Sequence, residues 1–247
     1  NTFVTENVTG HKGEAIVFGF LHQSLDVVNI SAPEYIRGGQ SLCIYNDKYY
    51  STDGSNIYVQ NRNFTLESTT PLNVGHGNCF QVGHSNLGYI SGWDDSTIYV
   101  IDMDTVTLTS TITLPISGYF SAVVYDLNNL VYILYRTDRP STIDYYTFAV
   151  YDLTTNKIIK SKKIFAFGAL QDCDYLDGKI VFMYGIPAGD LPSGMCIINT
   201  SGDVIANIYD EKISDAEPEG CVFDTAYNRL LFCRGAYNIF SITGLAL

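Results

Sequence analysis

Polar side chains recur immediately before five short apolar segments of the sequence. His76 and Asn78 precede one such segment, and glycines at 75 and 77 flank the histidine. Amide, carboxylate, hydroxyl and imidazole groups gathered in this way can bind a small ligand or an ion. They can equally serve only to satisfy the backbone groups of their own loops. The candidate binding residues in these positions are Gln40, His76, Asn78, Tyr119, Asp172, Glu217 and Glu219.

The single tryptophan is a further candidate. Trp93 follows a glycine and precedes Asp94 and Asp95, a combination typical of a turn. An exposed aromatic ring in a loop can stack on a sugar, whereas a ring at the rim of a core packs against its neighbours. Both interpretations are open for Trp93, and we include it among the binding candidates.

The sequence predicts no catalytic residues. It contains no nucleophile elbow, zinc-binding helix motif, phosphate-binding loop or dinucleotide fingerprint. Glu217 and Glu219 alternate with Pro218 and Gly220, and this short motif alone does not identify an acid–base pair. No cofactor is predicted and the metal ligands are left unassigned, although a structural cation could lie among the polar loops.

Charge and hydropathy exclude several partners. The formal net charge of −12 argues against nucleic acid and against an anionic membrane surface. No apolar run approaches the ~18 residues of a membrane helix, so membrane insertion is not predicted. Charged residues make up only 16% of the chain, and the remaining polar surface must come largely from Asn, Ser, Thr and Tyr. Such a surface suits neutral hydrogen bonding and stacking with sugars.

The elements that position these residues are short β-strands. Runs rich in Val, Ile, Tyr, Phe and Thr, separated by turn residues, form units of four antiparallel strands. The units recur at intervals of 36, 43, 51 and 48 residues, measured between small residues in the first strand of each. This period predicts an all-β protein, a β-propeller of five four-stranded blades. The residues used as anchors are Cys43, Cys79, Ala122, Cys173 and Cys221.

We expect residues 1–247 to form one propeller domain, with residues 1–12 as a lead-in. The last repeat lacks its fourth strand, whereas residues 14–20 and 25–30 supply two spare strands near the beginning of the chain. The simplest interpretation is that 25–30 completes the last blade and closes the ring, which removes exposed sheet edges. A two-layer sandwich is the competing architecture, but it does not explain regular four-strand units.

The propeller also accounts for the cysteines. Four of the five inner strands carry Cys at the anchor position, where strands crowd around the axis and small apolar residues fit. We therefore interpret the six cysteines as reduced core residues. Three disulfides are the alternative that their even number allows.

The segment Gly75–Asn78 and the segment 217–224 (Glu-Pro-Glu-Gly-Cys-Val-Phe-Asp) resemble the five-bladed propeller of phage receptor-binding tail proteins, a family shared with teichoic-acid-associated bacterial proteins. The resemblance spans roughly residues 37–243. It implies a virion tail domain, outside the cell, that recognises host cell-wall glycopolymer and assembles as a homotrimer on a longer fibre. The matching positions are His76, Asn78, Glu217 and Glu219. The negative net charge favours a neutral wall polysaccharide over phosphate-rich teichoic acid.

Two other families remain open. Four glycosylation sequons and the segment Thr147–Lys157 are similar to secreted olfactomedin-like interaction domains. A metal-dependent lactonase-type propeller hydrolase would instead hold a cation at the channel mouth, with Glu219, Asn78 and Asp172 as its ligands here.

Overall fold

The chain forms an all-β propeller. The structure, a computed structural model, describes residues 26–30, 36–138, 144–166, 169–185, 194–209, 218–234 and 238–243. Within these ranges, twenty strands form five four-stranded antiparallel sheets, which are the blades of the ring. The predicted fold class is therefore confirmed. The predicted lead-in 1–12 and the predicted strand 14–20 lie outside the described residues.

Each blade runs outward from an inner strand at the axis. Blade 1 contains β2 (Ser41–Tyr45), β3 (Lys48–Thr52), β4 (Asn56–Gln60) and β5 (Leu66–Pro71). Blade 2 contains β6 (Cys79–Val82), β7 (Leu87–Ser91), β8 (Thr97–Asp102) and β9 (Thr107–Thr113). Blade 3 contains β10 (Tyr119–Tyr125), β11 (Leu130–Arg136), β12 (Asp144–Asp152) and β13 (Lys157–Ala166). Blade 4 contains β14 (Ala169–Leu176), β15 (Lys179–Gly185), β16 (Gly194–Asn199) and β17 (Val204–Tyr209). Blade 5 contains β18 (Pro218–Asp224), β19 (Arg229–Arg234), β20 (Asn238–Thr243) and β1 (Asp26–Asn29).

Burial decreases from the axis to the rim. The inner strand β2 is almost entirely buried, whereas the outer strand β5 of the same blade is almost entirely exposed. The inner strands β6, β10, β14 and β18 each pair with a neighbour on one side only, like β2. Their unpaired backbone edges therefore face the axis, where side chains must satisfy them.

Tight turns join the first two strands of each blade. Asn46 and Asp47, between β2 and β3, both have positive φ, at 47° and 60°. Asp177 and Gly178, between β14 and β15, also have positive φ, at 48° and 79°. These values suit two-residue hairpin turns, which require left-handed backbone and therefore favour Asn, Asp and Gly.

The ring is closed by the early strand of the chain, as predicted. β1 adds to the outer side of β20 as an antiparallel neighbour, with Asp26 opposite Thr243 and Asn29 opposite Phe240. This places the predicted strand 25–30 in the last blade. In the described ranges, no helix is long and apolar enough to cross a bilayer.

Blades 1 and 5 are also joined by a buried ion pair. The Asp224 carboxylate is 1% exposed and lies 3.1 Å from Nη1 of Arg62, which comes from blade 1. Asp224 also accepts hydrogen bonds from Arg229 at 2.9 Å and from the Tyr49 hydroxyl at 3.2 Å. Burial of this carboxylate without these partners would destabilise the fold. The contact between Arg62 and Asp224, which we call the clasp, therefore stabilises the packing of blade 5 against blade 1.

All six cysteines are buried, and no disulfide joins any two of them. This agrees with the interpretation of the cysteines as small core residues. The Cys79 Sγ lies 3.2 Å from the carbonyl oxygen of Ala122 and 3.1 Å from that of Cys173, so its single S–H hydrogen is shared between these two acceptors. It therefore satisfies backbone oxygens of two other inner strands at the axis.

Candidate functional site

Two kinds of loop lie together on one face of the ring, because the strands of each blade alternate in direction. They are the loops that lead into the inner strands and the loops that join the second strand of a blade to the third. We call this face the mouth face and the opposite one the far face. A cavity of about 480 Å³ opens on the mouth face. Its lining residues are Gly38, Gly39, Gln40, Asp53, Gly75, His76 and Glu219.

Three of the predicted binding residues line this cavity. Gln40, His76 and Glu219 come from blades 1, 2 and 5, whose inner strands contact one another around the axis. The ring therefore brings together side chains that are far apart in the sequence. Glu217, another predicted residue at blade 5, lies outside the described residues.

His76, Trp93 and Tyr119 form a continuous row of rings on the mouth face. The ring centroids of His76 and Trp93 are 4.7 Å apart with 30° between the planes. Those of Trp93 and Tyr119 are also 4.7 Å apart, at 57°. We call these three side chains the aromatic row. Because His76 also lines the cavity, the row begins in the cavity and leads towards blade 3.

Trp93 has an unusual backbone conformation. Its φ is +79°, a left-handed value that is rare for a bulky residue. Its carbonyl accepts a hydrogen bond from the Phe120 amide at 2.8 Å, which ties the loop to blade 3. The indole Nε1 is buried and has no hydrogen-bond partner in the described part of the chain. Such strain costs about 1–3 kcal/mol and concentrates at functional positions.

Two glycines bring the chain to this position. Gly75 and Gly77 have φ of +65° and +73°, values that L side chains rarely adopt. A Cβ on Gly77 would lie 2.8 Å from the methyl group of Thr52 in blade 1. Both glycines are therefore needed for the path of the backbone around His76, and Gly75 also lines the cavity.

The cavity carries negative charge beside a neutral imidazole. Packing against the rest of the site lowers the pKa of His76, and nearby Asp94 only partly opposes this shift. Partial burial acts to raise the pKa of Asp53, but hydrogen bonds from the Tyr58 hydroxyl and from the Ser55 and Asn56 amides lower it below its usual value. At neutral pH, His76 is therefore largely uncharged and Asp53 is ionised.

Beneath the mouth, Asp172 closes the channel. Its carboxylate is fully buried and accepts four backbone N–H groups. Oδ1 accepts from Phe80 at 3.3 Å and Cys173 at 2.8 Å, whereas Oδ2 accepts from Leu42 at 3.0 Å and Cys221 at 2.7 Å. Burial raises the pKa of Asp172, and these donors oppose the shift. One side chain thus joins the inner strands of blades 1, 2, 4 and 5.

Neighbouring polar residues extend this buried layer. The Asn78 amide donates to the Ser121 hydroxyl at 2.6 Å, and Ser121 donates to the Gln171 carbonyl at 3.0 Å. Gln81 bonds both the amide and the carbonyl of Val124 in blade 3. Asn78 and Asp172 are 1% and 0% exposed. We therefore take these two predicted residues out of the candidate binding surface and assign them to the buried layer.

One group of three potential metal ligands lies in this layer. Ligand atoms of Cys79, Asp172 and Cys173 lie within 4.8 Å of one another. However, both oxygens of Asp172 already accept two N–H groups each, and burial raises the pKa of the Cys173 thiol well above its usual value. The residues of the lactonase-type alternative lie in two environments, since Glu219 lines the cavity whereas Asn78 and Asp172 are buried.

Asp53 is not among the predicted binding residues. It lies in the loop between the second and third strands of blade 1, whereas the predicted loop residues, apart from Trp93, precede inner strands. A signal was present in the repeat: Asp53 and Asp95 each bind the hydroxyl of a tyrosine a few residues later, Tyr58 and Tyr99, both at 2.7 Å. The loop that carries Trp93 in blade 2 thus corresponds to the loop that carries Asp53 in blade 1.

Comparison with known proteins supports the fold alone. No protein-family model and no curated protein matches the chain. Glutaminyl cyclase of Myxococcus xanthus superposes with a TM-score of 0.63 at 9% identity, over 85% of this chain and 92% of the other. Virginiamycin B lyase of Staphylococcus aureus gives 0.50 at 13% identity, over 89% and 99%. Kuenenia stuttgartiensis hydrazine synthase gives 0.52 at 13% identity, over 80% and 74%.

These neighbours are consistent with a five-bladed propeller. At such low identity they carry no information on what this chain binds or whether it catalyses a reaction. The relationship to phage receptor-binding proteins therefore stays a prediction, as do the roles of the mouth residues.

Proposed function

We propose that the protein is a non-enzymatic recognition domain that binds a cell-surface polysaccharide at the mouth face. The observation that carries this proposal is the aromatic row leading out of the cavity. Aromatic rings beside hydrogen-bonding groups suit sugars, which present both apolar faces and hydroxyls. A row of three rings extends beyond one sugar unit and therefore suits a chain rather than a single sugar.

The charge of the site supports a polysaccharide that is not a polyanion. The described lining of the cavity contains two carboxylates, Asp53 and Glu219, and no Lys or Arg. The whole chain carries a net charge of −12. Phosphate-rich polymers would be repelled at this face unless a cation bridged them. A neutral or cationic glycan meets no such repulsion.

We further propose that the domain acts outside the host cell, as part of a phage tail. Support comes from the resemblance of Gly75–Asn78 and of the segment 217–224 to phage receptor-binding propellers. In that setting the domain would be one subunit of a homotrimer on a longer fibre, and its polysaccharide would be host cell wall. The fold is compatible with this role, since propellers present concentrated loops at one face.

The test is binding of the protein to purified walls of Gram-positive bacteria, compared among wild type, Trp93→Ala and Tyr227→Ala. Tyr227 is a matched control because it is an exposed aromatic residue, 58% accessible, on the far face. Truncation of a central aromatic residue commonly weakens an interface by about 2 kcal/mol or more, which is roughly 30-fold. We expect that loss for Trp93→Ala and no change for Tyr227→Ala.

Two results would contradict the proposal. Equal binding by wild type and Trp93→Ala would remove the aromatic row from the site. Failure of the wild type to bind walls from every host tested would argue against recognition of wall polysaccharide altogether.

A further inference from the structure

We infer that a second cavity of the propeller, on the far face, binds a free α-amino acid with an apolar side chain. The inference goes beyond the proposed polysaccharide site, which lies on the opposite face, and does not depend on it. The cavity has a volume of about 270 Å³ and lies between blades 4 and 5, since residues of both blades line it. A space of this size holds one small molecule rather than a polymer.

One wall of the cavity is apolar. Leu176 of blade 4 and Phe223 of blade 5 line it, and both keep part of their surface exposed. Leu230 and Ile242 also line it and are buried in the same hydrophobic cluster. An aliphatic or aromatic side chain of a ligand would be removed from water against this wall.

The polar side chains at this cavity are available to a ligand. Asp177, Thr225 and Asn228 line the cavity and are exposed. Their side chains make no hydrogen bond in the described part of the chain. Asp53 at the mouth differs, since groups of its own turn already occupy its carboxylate. The far-face cavity therefore offers a free carboxylate, a free hydroxyl and a free amide.

Arg229 adds a fixed cation to the lining. Its Nε and Nη2 donate to Oδ2 of Asp224, at 3.1 and 2.9 Å, and Nη2 also donates to the Tyr49 hydroxyl at 3.2 Å. The ring of Tyr227 covers the guanidinium, with its centroid 4.6 Å from Cζ. Because the guanidinium is planar, Nη1 lies outside the edge that faces Asp224. Its two N–H groups have no partner within the described ranges and suit a carboxylate.

The charges at the cavity match a zwitterion. Asp177 and Arg229 both line it, yet no ion pair within 4.0 Å joins these two described residues. Arg62 shares the buried Asp224 carboxylate with Arg229, so one anion faces two guanidiniums and leaves positive charge for a ligand. An ammonium group beside a carboxylate would bridge Asp177 and Arg229, whereas a ligand of single charge would leave one of them unpaired. These two groups lie next to each other, beside a side chain, in a free α-amino acid.

The test compares leucine with three analogues that each lack one of its features. N-acetyl-leucine lacks the ammonium group, leucine amide lacks the carboxylate, and glycine lacks the apolar side chain. Binding is followed by NMR titration of ¹⁵N-labelled protein, through the backbone amides of Gly178 and Asn228 at the cavity. We expect a Kd of about 1 mM for leucine, as is typical of so small a ligand.

Each analogue should bind at least tenfold more weakly than leucine. A hydrogen bond between charged groups corresponds to about that factor or more, and glycine leaves the apolar wall in water. The amides of Gly75 and Gly77, at the mouth, should not shift with any of the four ligands.

Asp177→Asn tests the role of the carboxylate. Asparagine tolerates the left-handed backbone at this position, where φ is 48°, so the hairpin turn is retained. The preference for leucine over N-acetyl-leucine should fall to roughly threefold or less, since the ammonium group loses its charged partner. The preference over leucine amide, which depends on Arg229, should stay as in the wild type.

Asp152→Asn is the matched control. It removes the same charge from a turn of blade 3 on the far face, and Asp152 does not line this cavity. All preferences of this variant should equal those of the wild type.

Three results would overturn the inference. They are an absence of saturable shifts with leucine up to about 20 mM, equal affinities for leucine and N-acetyl-leucine, and an unchanged preference in Asp177→Asn. None of them affects the proposed function, which is tested by binding to walls through the mouth face.

Discussion

Asp172→Asn tests whether one carboxylate ties four blades together at the axis. The wild-type side chain accepts N–H groups from Leu42, Phe80, Cys173 and Cys221, two on each oxygen. Asparagine keeps the shape but replaces one oxygen with an amide nitrogen that can only donate. Two of the four backbone N–H groups would then face a donor in a buried site.

The expected cost follows from these two groups. A buried N–H without an acceptor costs about 1–3 kcal/mol, so the substitution should cost roughly 2–6 kcal/mol. Domains are stable by only about 5–15 kcal/mol, so this is a large fraction of the total. For a chain of this size, 1 kcal/mol corresponds to about 2–4 °C, which predicts a fall in Tm of roughly 5–20 °C.

The assay is thermal unfolding at pH 7, followed by circular dichroism at a fixed scan rate. Asp174→Asn is the control, because Asp174 lies two residues further along β14 and accepts only two N–H groups, from Phe223 and Tyr175. It should lower Tm by clearly less than Asp172→Asn. A melting temperature for Asp172→Asn within 2 °C of the wild type would refute the reasoning. It would mean that Asp172 is held as a neutral acid, which resembles the amide.

Three further predictions concern pH, strain and closure. Burial raises the pKa of Asp174 from 3.8 to about 7. The neutral side chain therefore stabilises the fold fully below pH 4, and this contribution is lost as the pH rises to about 7. Asp174→Asn should flatten the resulting fall in Tm between pH 4 and 7, and an unchanged slope would exclude Asp174 as the cause. The backbone at position 93 has a φ of +79°, which glycine adopts more easily than alanine. In urea unfolding, Trp93→Gly should therefore be about 1 kcal/mol more stable than Trp93→Ala. The reverse order of stability would argue against backbone strain at this position. Arg62→Ala removes a partner of the buried Asp224 carboxylate and should lower the free energy of unfolding by about 1–3 kcal/mol. Lys162→Ala breaks an exposed ion pair and should lower it by less than about 1 kcal/mol. Equal losses in urea unfolding would show that the contact between blades 1 and 5 is no stronger than a surface ion pair.

Much of the fold follows from local patterns in the sequence. The strand β3 begins directly after the turn residues Asn46 and Asp47, whose restricted backbone conformation can be recognised from residue type alone. The assignment of 25–30 to the last blade was also predictable, since a ring of sheets leaves an edge that must be covered.

The candidate site was less predictable, because it depends on contacts between blades. Tyr119, Trp93 and His76 could be selected by residue type, but only the ring shows that they stack. Asp172 could be selected as a polar residue before an inner strand, yet its burial depends on the free edges of three other strands. No local pattern distinguishes a carboxylate that lines an open cavity, such as that of Asp53, from one that is buried at the axis, such as that of Asp172.

The closure of blade 5 also determines on which face of the ring the two outer strands of that blade begin and end. β20 runs from the mouth face to the far face, and β1 runs back beside it, so Asp26 and Thr243 are neighbours at the far face. These two described ends of blade 5 therefore lie on the side away from the cavity. A supporting stalk attached there would point the mouth outward, towards whatever surface the assembly approaches, and would leave the aromatic row free of its own support.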